Sequence, residues 1–60
     1  MNELQKRLKK FREIEGVSYK NIAQAIGVSY GAMYNFTSGL RNLKEHQAEK
    51  LNEYLTSKGY

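Results

Sequence analysis

Gly27 is the position that most constrains this chain. Ile22, Ala23 and Ile26 precede it on one side of a predicted helix, and Val28, Met33 and Phe36 supply a second apolar set after it. A glycine between two such sets breaks the first helix, and Ser29 is placed to cap the next. The stretch from Tyr19 to Ser38 therefore reads as two short helices packed across one tight turn. Ala23 falls where those helices must cross closely, and a longer side chain there would push them apart at a cost of roughly 1 to 3 kcal/mol. At about 100° per residue, Ala32, Met33 and Phe36 share one side of the second helix, while Tyr30, Gly31, Tyr34, Asn35 and Ser38 cluster opposite. One side packs, and the other is free to read something.

The flanking segments supply the rest of a helical bundle. Leu4, Leu8, Phe11 and Ile14 recur at three- and four-residue steps and predict a first helix over 3–15 that ends at Gly16. Lys6, Arg7, Lys9, Lys10 and Arg12 fill the remainder of that helix as a basic outer face. Ser18 is the expected N-cap of the second helix, 19–26, and the third runs from Tyr30 to Thr37. Ser38 and Gly39 close it. Leu40 and Leu43 are expected to return to the core, with Arg41, Asn42 and Lys44 pointing outward. Asn42 and Glu45 have the spacing of a capping box for a fourth helix from Leu43 to Thr56. Its apolar side, Leu43, Ala48, Leu51, Tyr54 and Leu55, either closes the core or offers a surface to a second copy, and Glu45, Glu49 and Glu53 line its other side. The tail from Ser57 to Tyr60 reads as frayed unless Tyr60 docks on a partner, and His46 as a surface residue.

The arrangement of Ala23, Gly27 and their apolar neighbours, with the following run FTSGLRNLK, resembles the helix-turn-helix of the lambda-repressor-like family, which includes phage repressors, Cro proteins and Xre-type regulators. The resemblance implies an all-α fold of four helices, a single domain over 1–60 with its motif at 19–38, and a recognition helix at 30–37 lying in the DNA major groove. It places the base-reading positions on Tyr30, Gly31, Tyr34 and Asn35, and a loop contact to a guanine or a phosphate on Arg41. Asn35 suits adenine, because its amide donates and accepts at once, and each tyrosine ring could pack on a thymine methyl. Gly31 brings no side chain to its position. Phosphate contacts are expected from Arg12, Tyr19, Lys20, Ser29, Ser38, Asn42 and Lys44.

Charge distribution agrees with such a partner. Ten Lys and Arg stand against six Glu for a net charge of +4, and no acidic residue occurs between Glu15 and Glu45. A polyanion can approach that half of the chain without repulsion. Catalysis is not expected, since the sequence has no Asp, no Cys, one His and no phosphate-cradling glycine loop, and no metal or cofactor is implied. The longest apolar run is the three residues Ala32, Met33 and Tyr34, which argues against a membrane span or secretory signal and for a cytoplasmic address. A small core without disulfides gains from a second subunit, so the expectation is a homodimeric regulator that blocks a promoter by binding double-stranded DNA. Two alternatives stand beside it. One is an antitoxin or excision accessory factor with the same groove contacts; the other is an adaptor that turns the same surface to a protein and binds no DNA.

Overall fold

Two serine hydroxyls decide where the short helices begin. In the computed structural model, which describes residues 3–60, the Ser18 side chain accepts from the Asn21 amide at 3.2 Å and the Ser29 side chain from the Ala32 amide at 3.2 Å. Each hydroxyl satisfies one of the amides that a helix start leaves without a partner. The elements that result are α1 (Glu3–Glu15), α2 (Tyr19–Ile26), α3 (Tyr30–Thr37) and α4 (Glu45–Ser57), with no strand among the described residues.

The turn between α2 and α3 depends on Gly27, whose φ of 75° lies in the left-handed region that a side chain disfavours. Its amide bonds the Gln24 carbonyl at 3.3 Å while the Val28 amide reaches the Ala23 carbonyl at 2.9 Å. That pair of wrapped bonds closes the open end of α2 and sends the chain directly into α3. α3 ends in the same way, with Gly39 bonded to Phe36 at 3.2 Å and Leu40 to Asn35 at 2.9 Å.

The core lies where all four helices meet. Leu8 and Phe11 of α1, Ile22, Ala23 and Ile26 of α2, Met33 and Phe36 of α3, and Leu51 and Leu55 of α4 are buried, together with Val28 from the turn. α2 packs on α3 and α4, and α1 packs on α4 and α3. The buried Ala23 permits the close approach expected at the α2–α3 crossing. Gln5 is buried too, and its amide donates to the Phe36 carbonyl at 2.6 Å, tying α1 to the last turn of α3.

Four expectations need correction. Ile14 is 58% exposed and stands outside the buried cluster, its side of α1 having no apolar neighbour opposite among the described residues, and Leu40 is 70% exposed rather than returned to the core. Leu43 alone of that pair packs against the buried cluster. α4 starts at Glu45, two residues later than expected, and the Asn42–Glu45 capping box is not formed. Lys44 stands at the N-cap instead, and the Gln47 side-chain oxygen accepts from its backbone amide at 3.1 Å. A lysine ammonium has no acceptor with which to return the bond.

The fourth correction concerns Tyr60, which is fastened to its own chain. Its amide bonds the Leu55 carbonyl at 2.8 Å, its ring meets Phe11 edge-on at 5.2 Å, and its hydroxyl donates to the Glu15 carboxylate at 2.7 Å. Arg7, read in sequence as part of a solvated basic face, completes the clasp. Its Nε donates to the Tyr60 carbonyl at 2.8 Å, and its two terminal nitrogens donate to Asn52 at 2.5 Å and Thr56 at 3.0 Å. Tyr54 adds a second edge-on contact to Phe11 at 5.6 Å, so three rings pack along the α1–α4 seam.

Two outcomes follow from this clasp. Arg7→Ala loses three hydrogen bonds from a charged donor and should lower stability by about 1 to 2 kcal/mol, read as a lower melting temperature. The hydrogen bond to Glu15, then burial, then the charge of Glu15 raise the Tyr60 hydroxyl above its ordinary pKa of 10.0. A raised acid stabilises the fold fully below its unfolded pKa and ceases to do so as pH climbs through the folded one. Alkaline titration above pH 10 should therefore destabilise the native protein more than Tyr60→Phe, which has no proton to lose; equal slopes in denaturant melts would refute the assignment.

Candidate functional site

The outer side of α3 is presented by what lies behind it. Met33 is 0% exposed and Phe36 2%, which fixes the helix rotation, and the same rotation leaves Tyr30 at 55% and Tyr34 at 56%. Gly31 and Ser38 are exposed beside them, and Asn35 is half-buried at the edge of the group. Neither tyrosine ring nor hydroxyl, nor the Asn35 amide, is engaged in a hydrogen bond or ring contact among the described residues. The Ser38 hydroxyl donates to the Tyr34 carbonyl, which occupies its proton but leaves oxygen lone pairs outward.

Gly31 is not there for its backbone. Its φ is not positive, and a Cβ built on it would meet nothing within 4 Å. The position is simply open, in a helix where glycine costs up to about 1 kcal/mol relative to alanine.

A second group forms where the chain reverses after α3. The Asn35 carbonyl accepts from the Leu40 amide at 2.9 Å and the Arg41 amide at 3.2 Å, so the loop is anchored on the same residue whose side chain borders it. Ser29, Asn35, Arg41, Asn42 and Lys44, five of the residues singled out in the sequence, line one open depression of about 360 Å³. Two of these five are cations, and no acidic side chain lines the depression. Gln47 also borders it and was not foreseen; its position three residues after the N-cap of α4 is the signal that could have found it.

Arg12 and Tyr19 form a separate pair. The Arg12 guanidinium lies 4.7 Å above the Tyr19 ring, an exposed cation–π contact worth about 0.5 to 1 kcal/mol. Tyr19 is half-buried under it, and Lys20 beside it is exposed. Arg12 also lines a shallow hollow with Glu13, Gly16, Val17 and Ser18 at the start of α2, so one carboxylate stands beside the guanidinium there.

α4 spends its apolar side on the core of its own chain. Leu51 and Leu55 are fully buried, with Ala48 and Tyr54 half-buried, so the larger apolar residues of this helix are not left over for a second copy. No helix among the described residues is long and apolar enough to cross a membrane. Compared with protein-family models, with curated proteins and with solved structures, the chain gives no match.

Gly31→Ala offers a direct measure of the open position. With no neighbour to strain against, the added methyl should raise stability by about 0.5 to 1 kcal/mol in thermal or urea unfolding. A loss of stability instead would mean that position 31 is tighter than its surroundings indicate.

Proposed function

We propose that the chain is a sequence-specific double-stranded DNA-binding regulator of the helix-turn-helix kind, similar to small Cro-type and Xre-type repressors, with α3 as its recognition helix. One observation carries this reading. A rigidly backed and uncharged helix side, exposed at Tyr30 and Tyr34, lies within a stretch of chain that has Lys20, Arg41 and Lys44 but no acid from residue 16 to 44. Such a surface meets a polyanion without repulsion and presents neutral polar and aromatic groups to the base edges.

Roles divide by position. Tyr30, Tyr34 and Asn35 face the bases, and Gly31 lets the groove approach the helix backbone. Arg41 reaches a guanine or a phosphate from the rim of the depression. Lys44, Asn42, Ser29 and Ser38 hold phosphates around α3, and Arg12, stacked on Tyr19 beside Lys20, holds one at the start of α2. Two modules acting as a homodimer on half-sites about 34 Å apart would supply the phosphate contacts that one module lacks. With 6 to 10 such contacts the logarithm of affinity falls against that of salt with a slope of roughly −5 to −9. The dimer surface lies outside the buried side of α4.

The exposed Tyr30, Tyr34 and Leu40 also suit a protein partner, which keeps the adaptor reading in play. Gel retardation with genomic fragments at two salt concentrations separates the two. Retention that weakens steeply with salt supports DNA binding, and no retention in dilute buffer leaves the adaptor. Among variants, Asn35→Ala should lose about 1 to 3 kcal/mol of discrimination against the wrong base, whereas Lys44→Ala should weaken all sequences alike and reduce the salt slope by about 1. Uniform weakening by both would remove Asn35 from base reading.

A further inference from the structure

The exposed side of α3 has an internal layout that narrows what it can recognise. On a helical projection at about 100° per residue, Tyr30 and Tyr34 fall within about 40° of each other on one flank, and Asn35 falls about 100° beyond Tyr34 on the other. Gly31 and Ser38 occupy the middle. The surface is therefore a shallow trough whose floor is glycine and serine, with one aromatic wall and one amide wall. Both walls are without intramolecular partners among the described residues, and nothing stands above the floor at Gly31.

α3 itself brings no charge to the trough. Its sequence is YGAMYNFT, and the cations Arg41 and Lys44 border only the Asn35 wall, from the loop that follows. The commonest specific contact to guanine is a bidentate bond from Arg or Lys to O6 and N7, and no side chain of α3 can make it. What α3 does carry are two broad apolar rings, which match the C5-methyl of thymine, and one amide, which matches N6 and N7 of adenine. Direct readout of a methyl group is by contact with an apolar surface. The open floor allows the base edges to come close enough for both walls to reach them.

Resting on the DNA-binding reading above, we infer that α3 selects A·T base pairs, with thymine methyl groups packed against Tyr30 and Tyr34 and adenine taken by the Asn35 amide. Any requirement for G·C lies on the Asn35 side of the trough, opposite Arg41, and not under the tyrosine rings. Affinity of the trough for DNA thus depends on a methyl group that uracil lacks.

The test is a selection with the sixty-residue chain on a pool of duplexes with a randomised core, followed by replacement of thymine with deoxyuridine in the recovered site. Expected are A·T pairs at the central positions and a fall in affinity of about fourfold for each methyl that the rings cover. The ratio of thymine to uracil affinity should survive Tyr30→Phe and Tyr34→Phe, which keep the rings, and should fall towards one when both residues are replaced by Ala. That ratio is independent of how much folded protein a variant yields. A native ratio of one, or recovered sites with G·C across the central positions, overturns the inference and leaves DNA binding intact. Failure to retain any duplex from the pool in dilute buffer overturns both.

Discussion

The contact on which the rest depends is the burial of Met33 and Phe36 against α2 and α1. α3 is only eight residues long, too short to hold its shape alone, and it has no charged pairs along its surface to help it. Its rotation is set by those two side chains, and its last turn is held through the Phe36 carbonyl by the buried Gln5 amide. Tyr30, Tyr34 and Asn35 face where they do only because the opposite side is locked. A weakening of the core at Met33 would therefore blur the outer surface before it unfolded the chain.

The clasp at the other end of the molecule plays a different part. Arg7 and Tyr60 join α1 to the last turn of α4 through hydrogen bonds and ring contacts that lie away from α3. A sixty-residue chain has little core to spare and no disulfide, so polar ties between its outer helices stabilise what apolar burial leaves marginal. The division is useful: one pair of helices carries the exposed trough, and the other pair braces it.

Much of the architecture was legible in the sequence because local chemistry decided it. Ser18 and Ser29 are capping residues in front of apolar steps, and Gly27 and Gly39 stop helices by wrapping the chain, so the bounds of α1, α2 and α3 follow from short-range rules. The misreadings occur where distance along the chain matters. Ile14 and Leu40 are apolar and correctly spaced, but spacing cannot tell whether a partner stands opposite. Gln5 looks like surface until a carbonyl 31 residues away needs a donor, and Arg7 is indistinguishable from its basic neighbours until Asn52, Thr56 and Tyr60 arrive beside it. For the candidate site, the exposure of Tyr30 and Tyr34 could be read from periodicity, whereas the gathering of Arg41, Asn42, Lys44 and Gln47 around Asn35 required the loop to be folded.

The wrapped helix ends have a consequence for how such a chain can change. Because the stops at Gly27 and Gly39 consist of backbone bonds to residues three and five positions earlier, they do not depend on which side chains fill the interior. Interior residues can be exchanged for others of similar volume without moving the point where α3 begins or ends. Surface letters on α3 can equally be rewritten without disturbing the stops. Where α3 begins and ends is thus held apart from its exposed side chains, which can change one at a time without moving the helix.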